Sequence, residues 1–228
     1  MGVVASPRFC GSDRINYTVF LKIDRMAKFE MRLDYSHRDV TRLPEDLIRA
    51  NERVTLLDVS NNQISDISFT ERFTCLNSLI LDHNLVTSEA IFPVMPSLTT
   101  LWLNFNNINE LTPFIGHLSH SFPNLKHLSM MGNKASPPCT EETYYDYVNY
   151  RLLVLSFMAD LEYLDDRAVT QDEREEARRL FGLAEERSTS QATSISDYVF
   201  SLVDKVFDFI DPSPVTGRSS FNERASVV

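Results

Sequence analysis

Cysteine is scarce in this 228-residue chain: Cys10, Cys75 and Cys139 are odd in number, far apart and without metal-ligand spacing. That pattern argues against a disulfide framework or a zinc site, and a reducing, cytoplasmic setting is expected. Positive charge is also short, with 22 Lys and Arg against 32 Asp and Glu and a formal net charge of -10. Non-specific nucleic-acid binding needs a basic face, so no nucleic-acid partner is expected. No apolar run approaches the ~18 residues of a membrane span. The longest, LLVLSFMA from Leu152 to Ala159, is sized for a core. Arg8, Asp13 and Arg14 interrupt any signal-peptide apolar region. The opening MGVVAS does fit the outline of N-myristoylation, with Cys10 placed for a second lipid, but Pro7 directly after the serine disfavours it.

Catalytic signatures are missing as well. The chain has no P-loop, no G-x-G-x-x-G, no C-x-x-C and no H-E-x-x-H. His117 and His120 form an H-x-x-H without further ligands nearby, and a solvated loop is expected there rather than a metal site. Asp165 and Asp166 are adjacent, so on a strand they point apart and make a poor acid/base pair. No cofactor is expected, and nothing argues for an enzyme.

What the chain has is a repeat. The stretch LTTLWLNFNNINEL (Leu98 to Leu111) sets Leu98, Leu101, Leu103 and Ile108 around Asn106. Its pattern, L-x-x-L-x-L-x-x-N-x-L, recurs in VTLLDVSNNQI with Asn62, LNSLILDHNLV with Asn84 and LKHLSMMGNKA with Asn133. The asparagines step by 22, 22 and 27 residues, within the roughly 20–29 of a leucine-rich repeat. A degenerate first repeat, MRLDYSHRDVTRLP, carries Arg38 where Asn belongs. Each repeat supplies a short parallel strand, a turn whose backbone groups the Asn amide satisfies, and a returning segment; neighbouring coils bury each other's leucines. The predicted fold is an α/β solenoid, a short leucine-rich-repeat horseshoe with a parallel concave sheet.

Such a solenoid needs a lid over its last coil. After Ser136-Pro137-Pro138 the sequence predicts an apolar helix from about Tyr144 to Phe157, a strand mimic LEYLD (Leu161 to Asp165) and a charged helix over Val169–Phe181, boxed by Thr170 and Glu173. Tyr150, Arg151, Val154, Leu161, Leu164, Asp165, Val169, Thr170, Glu173 and Arg174 resemble the cap of the LRRcap group, which includes the U2 snRNP A-prime protein and several ciliary proteins. The predicted organisation is a lead over 1–30, repeats over 31–138, the cap over 139–185, and a linker and tail over 186–228.

SLILDHN, FPNLKHLSMMGNKASP and the VT-Q-EREEA run together resemble the leucine-rich melanocyte differentiation-associated family, adaptor-type proteins of vertebrate pigment cells. The likeness covers about Leu57 to Ala177. It implies non-enzymatic work in melanosome biogenesis, coupling a Rab-type GTPase to endosomal recycling machinery. It also implies a peripheral place on endosomes or lysosome-related organelles.

Strand alternation that turns Leu101 and Leu103 inward turns Trp102, the one tryptophan, outward. On the concave columns Leu56, Ile80, Trp102 and Met131 interrupt a polar majority, with Phe105 bordering them in a turn. Exposed tryptophans among apolar neighbours are enriched at binding hot spots, so these residues are the expected partner site. In the tail, Ser/Thr-rich ERSTSQATSIS leads to DYVFSLVDKVFDFIDP, where Phe200, Val203, Phe207 and Ile210 fall on one helical face. That amphipathic helix must dock on this chain's own concave face, on a membrane or on a second partner; its acidic polar side disfavours an anionic membrane, and a second partner is the expected choice. The closing SVV also fits the outline of a PDZ ligand. The expected function is an adaptor; the alternative is a structural subunit of an RNP or a ciliary or axonemal assembly.

Overall fold

A computed structural model describes residues 31–50 and 53–181 of the chain. Six three- or two-residue strands run parallel in sequence order: β1 (Arg32–Asp34), β2 (Leu56–Asp58), β3 (Ser78–Ile80), β4 (Thr100–Trp102), β5 (His127–Ser129) and β6 (Tyr163–Leu164). A seventh, β7 (Arg167–Ala168), turns back antiparallel against β6. Leu33, Leu57, Leu79, Leu101, Leu128 and Leu164 lie in register across the six parallel strands, and all six are buried. A period of two on so short a strand leaves one residue inside and its two neighbours outside, which is the pattern of β1 to β4.

The template asparagines bind the coils together. Asn106 Nδ2 donates to the carbonyls of Leu103 in its own coil and Leu81 in the coil before, both at 3.0 Å. Its Oδ1 accepts the Val86 amide at 3.0 Å. Asn84 repeats this with Leu81, Val59 and the Ile64 amide, and Asn133 with Met130, Leu103 and the Ile108 amide. These side chains are buried, and each buried backbone group left unpaired would cost about 1–3 kcal/mol. Asn62 reaches back to the Arg38 amide and the Tyr35 carbonyl.

The returning segments differ in length. A 3-10 turn over Ser68–Arg72 follows β2, while the 27-residue interval accommodates a full helix, α2 (Leu111–Ser121). His117 and His120 therefore sit on α2 and not in the solvated loop that the sequence suggested. The template has no slot for a helix, and the extra residues were the signal. Phe92 packs edge-on against Phe114 and Phe122, with centroids 6.2 and 5.2 Å apart. A short helix, α1 (Glu45–Ala50), follows the first strand.

The lid is built as the sequence requires. Helix α3 (Tyr144–Phe157) buries Tyr147, Tyr150 and the run from Arg151 to Leu155. Helix α4 (Gln171–Phe181) starts two residues later than predicted because Val169 and Thr170 precede it as an extended entry. Its capping box is present, with the Thr170 amide donating to Glu173 Oε2 at 2.8 Å and the Glu173 amide to Thr170 Oγ1 at 3.2 Å.

Candidate partner-binding face

The strand register sets the concave columns. Asp34, Asp58, Ile80, Trp102 and Ser129 form one, and Arg32, Leu56, Ser78, Thr100, His127 and Tyr163 another. A third continues beyond the strands, because the amides of His37, Asn61, His83 and Phe105 donate to the carbonyls of Ser60, Asp82, Asn104 and Met131. Trp102 is 44% exposed, Phe105 53% and Met131 39%. Ile80 pairs directly with Trp102, and the Phe105 amide donates to the Met131 carbonyl at 2.8 Å. Leu56 lies diagonally from Ile80, half-buried in the other column. Phe200, Val203, Phe207 and Ile210, like the N-terminal lipidation outline, lie outside the described residues.

Phe105 adopts φ 54°, the left-handed region that a bulky residue rarely enters. It belongs to a row of such turn residues, with His37, Asn61 and His83 before it and Gly132 after. Its ring stacks on His83 with centroids 4.5 Å apart and planes 8° apart. On the other side lies Gly132 at φ 74°, where a Cβ would overlap the phenyl ring. Glycine at that turn takes the positive φ without strain, and its missing Cβ leaves the phenyl ring its space.

Tyr163, 47% exposed, extends the aromatic surface. Its ring stacks on His127 with centroids 5.3 Å apart. Sequence reasoning ended that column at His127, although reading LEYLD as a strand with Leu164 beside Leu128 would have placed Tyr163 on it.

The opposite half of the face is acidic. Asp34 accepts from the Ser36 amide and hydroxyl at 3.1 and 2.7 Å; Asp58 does the same with Ser60 and meets Arg32 at 3.2 Å. Burial pushes the Asp34 carboxyl up, but the Ser36 bonds and the charges of Arg32 and Arg38 outweigh it and hold it below its ordinary value. Burial, reinforced by the Asp58 charge, raises Asp82 above its ordinary value despite the two Asn104 donors at 2.8 and 3.2 Å. Asn104 in turn accepts from Ser129 Oγ at 2.7 Å and the Met131 amide at 2.8 Å. The side chains beside Trp102 are fixed from beneath by this polar lattice.

The Leucine-rich repeat family model matches residues 32–195. The chain is a leucine-rich-repeat protein. This leucine-rich-repeat chain is 39% identical over 127 residues to the human leucine-rich melanocyte differentiation-associated protein, covering 53% of this chain and 64% of that one. It is 29% identical over 154 residues to U2 small nuclear ribonucleoprotein A' of Aspergillus fumigatus, covering 67% of this chain and 54% of that one. It thus spans between about half and two thirds of the length of these relatives. A crystal structure of the Drosophila melanogaster SNF/U2A' complex contains the same fold, with 20% identity, a TM-score of 0.53, and 76% of this chain and 88% of that chain covered. Among the described residues no helix is long and apolar enough to cross a membrane, and no three His, Cys, Asp or Glu side chains are grouped to hold a metal.

In the cap of this leucine-rich-repeat protein, Arg151 is 4% exposed. Its guanidinium donates to Glu173 at 2.5 and 3.2 Å and to the Leu164 carbonyl at 3.0 Å. Burial pushes Glu173 up, but the bonds from Arg151 and Thr170 overcome it and leave the carboxyl below its ordinary value. A depressed carboxylate contributes stability that is present above its unfolded pKa and lost as pH falls through the folded one. Urea unfolding followed from about pH 6 to pH 3 should therefore show an acid-side loss that is shallower in Glu173→Gln. An unchanged slope would remove this pair from the account of the lid.

Proposed function

We propose that this chain is a non-catalytic adaptor whose concave sheet grips a segment of a partner protein through Ile80, Trp102, Phe105 and Met131. The observation that carries the reading is Trp102 itself: a single tryptophan held outward by strand register, 44% exposed and paired with Ile80. Acidic Asp58 and Asp82 beside this cluster favour a segment that carries cationic as well as apolar groups. The finer reading follows the resemblance to the melanocyte differentiation-associated protein. On that reading the partners would be a Rab-type GTPase and an endosomal recycling complex, met at peripheral sites on endosomes or lysosome-related organelles. The second contact would be the segment of Phe200, Val203, Phe207 and Ile210. A second reading, a structural subunit of an RNP, is favoured by the 29% identity to U2 small nuclear ribonucleoprotein A'; a ciliary or axonemal assembly shares its logic.

Affinity capture with the full chain and with Trp102→Ala tests both. Truncating an exposed side chain should change stability by less than about 0.5 kcal/mol, whereas loss of a hot-spot tryptophan costs about 2 kcal/mol or more of binding. A captured protein lost from Trp102→Ala and from the wild type in high salt supports the concave site. Recovery of small GTPase and recycling components, or of ribonucleoprotein components, decides between the two readings. Equal capture by the variant would sink the site.

A further inference from the structure

The stretch from Pro138 to Asp146 reads PCTEETYYD and is exposed at every position except the half-buried Thr143. Tyr144 and Tyr145 are each 60% exposed, while Tyr147 and Tyr150, on the same helix, are buried. Glu141 and Glu142 precede the exposed pair and Asp146 follows it, and no Lys or Arg occurs between residues 135 and 150. The hydrogen bonds of this stretch stay within it or reach only the next turn. Thr140 donates its amide to the Pro138 carbonyl at 3.1 Å, the Thr143 amide reaches Thr140 Oγ1 at 3.3 Å, the Thr143 hydroxyl meets the Pro138 carbonyl, and the Tyr147 amide meets the Thr143 carbonyl at 2.9 Å. Thr143 makes no side-chain capping bond to α3. The first helical turn can therefore open into an extended strand while the buried face from Tyr147 onward keeps the lid seated.

We propose that Tyr144 and Tyr145 are acceptors for a protein-tyrosine kinase whose peptide groove is basic. Such a groove takes an extended, acid-flanked tyrosine, and opening the first turn of α3 would present two. In the transfer, the phenolic Oη attacks the γ-phosphorus of magnesium-bound ATP and forms the new O–P bond. The bond from the γ-phosphorus to the βγ-bridging oxygen breaks, ADP departs with its electron pair, and the phenolic proton passes to the kinase's catalytic carboxylate. Each phosphate adds about 1.5 to 2 negative charges to a surface with no described cation beside it in sequence.

Tyr163 supplies the internal contrast. It is also acid-flanked, by Glu162 and Asp165, and nearly as exposed. Its amide is bonded to the Lys126 carbonyl at 3.0 Å and its ring to His127, inside the sheet. Presenting it to a kinase means unpicking β6.

The test incubates the folded full chain with a purified cytoplasmic tyrosine-kinase domain of acid-directed specificity and magnesium ATP, and maps phosphate by peptide mass spectrometry. Tyr144 or Tyr145 is expected to be modified at least an order of magnitude faster than Tyr163. Tyr144→Phe/Tyr145→Phe should lose that modification with an unchanged melting curve. Equal rates at Tyr163, modification of the pair only in urea, or no modification at all would each overturn the proposal. So would modification by a tyrosine sulfotransferase and its sulfonate donor where the kinase gives none.

Discussion

Deleting everything after Asn133 should turn the protein into an aggregating chain without a cooperative melt. β5 would become an open edge, and Leu125, Leu128 and Met130, now buried, would face water. Helix α3 supplies their cover, together with Leu161 and Leu164 of the strand that pairs with β5. The Met130 amide would also lose the Asp165 carboxylate that receives it at 2.9 Å. An exposed apolar coil end beside unpaired strand groups is a template for self-association. A chain ending after residue 195, where the family match ends, is the control and should melt cooperatively. Light scattering and thermal unfolding of the two truncations check this; a soluble, cooperative product from the shorter one would refute the lid.

The second large effect is expected at Leu103. Its side chain is 0% exposed, and its carbonyl accepts from both Asn106 and Asn133. Leu103→Ala should cost about 2–5 kcal/mol, the range for a core leucine whose cavity cannot collapse. Asparagine-clamped backbone on both sides leaves little room to relax. Chemical denaturation beside Trp102→Ala makes the comparison internal, one residue apart at the end of β4. A loss under about 0.5 kcal/mol at Leu103 would mean the two faces are exchanged.

Why could so much of this be read from residue order? A repeat forces the same local physics four times, so one leucine placed correctly places the ladder. Leu57, Leu79, Leu101 and Leu128 share a register because Asn62, Asn84, Asn106 and Asn133 do. The lid was legible for a different reason: Thr170 and Glu173 are a local device, complete within four residues. What escaped was whatever the template does not encode. Helix α2 occupies the long interval with a Pro113 and Gly116 that spoil a helical reading. Tyr163 reaches the concave face through pairing with His127, a contact 36 positions away in the chain.

The ring of Phe105 is held between an imidazole and the bare backbone of Gly132. A side chain so confined has already given up its rotamers during folding, so under the proposed function a partner landing on it would meet no further ordering cost there. The strained turn converts folding energy into readiness: what the chain spends once, in placing a phenyl group where backbone geometry resists it, it does not spend again at each encounter.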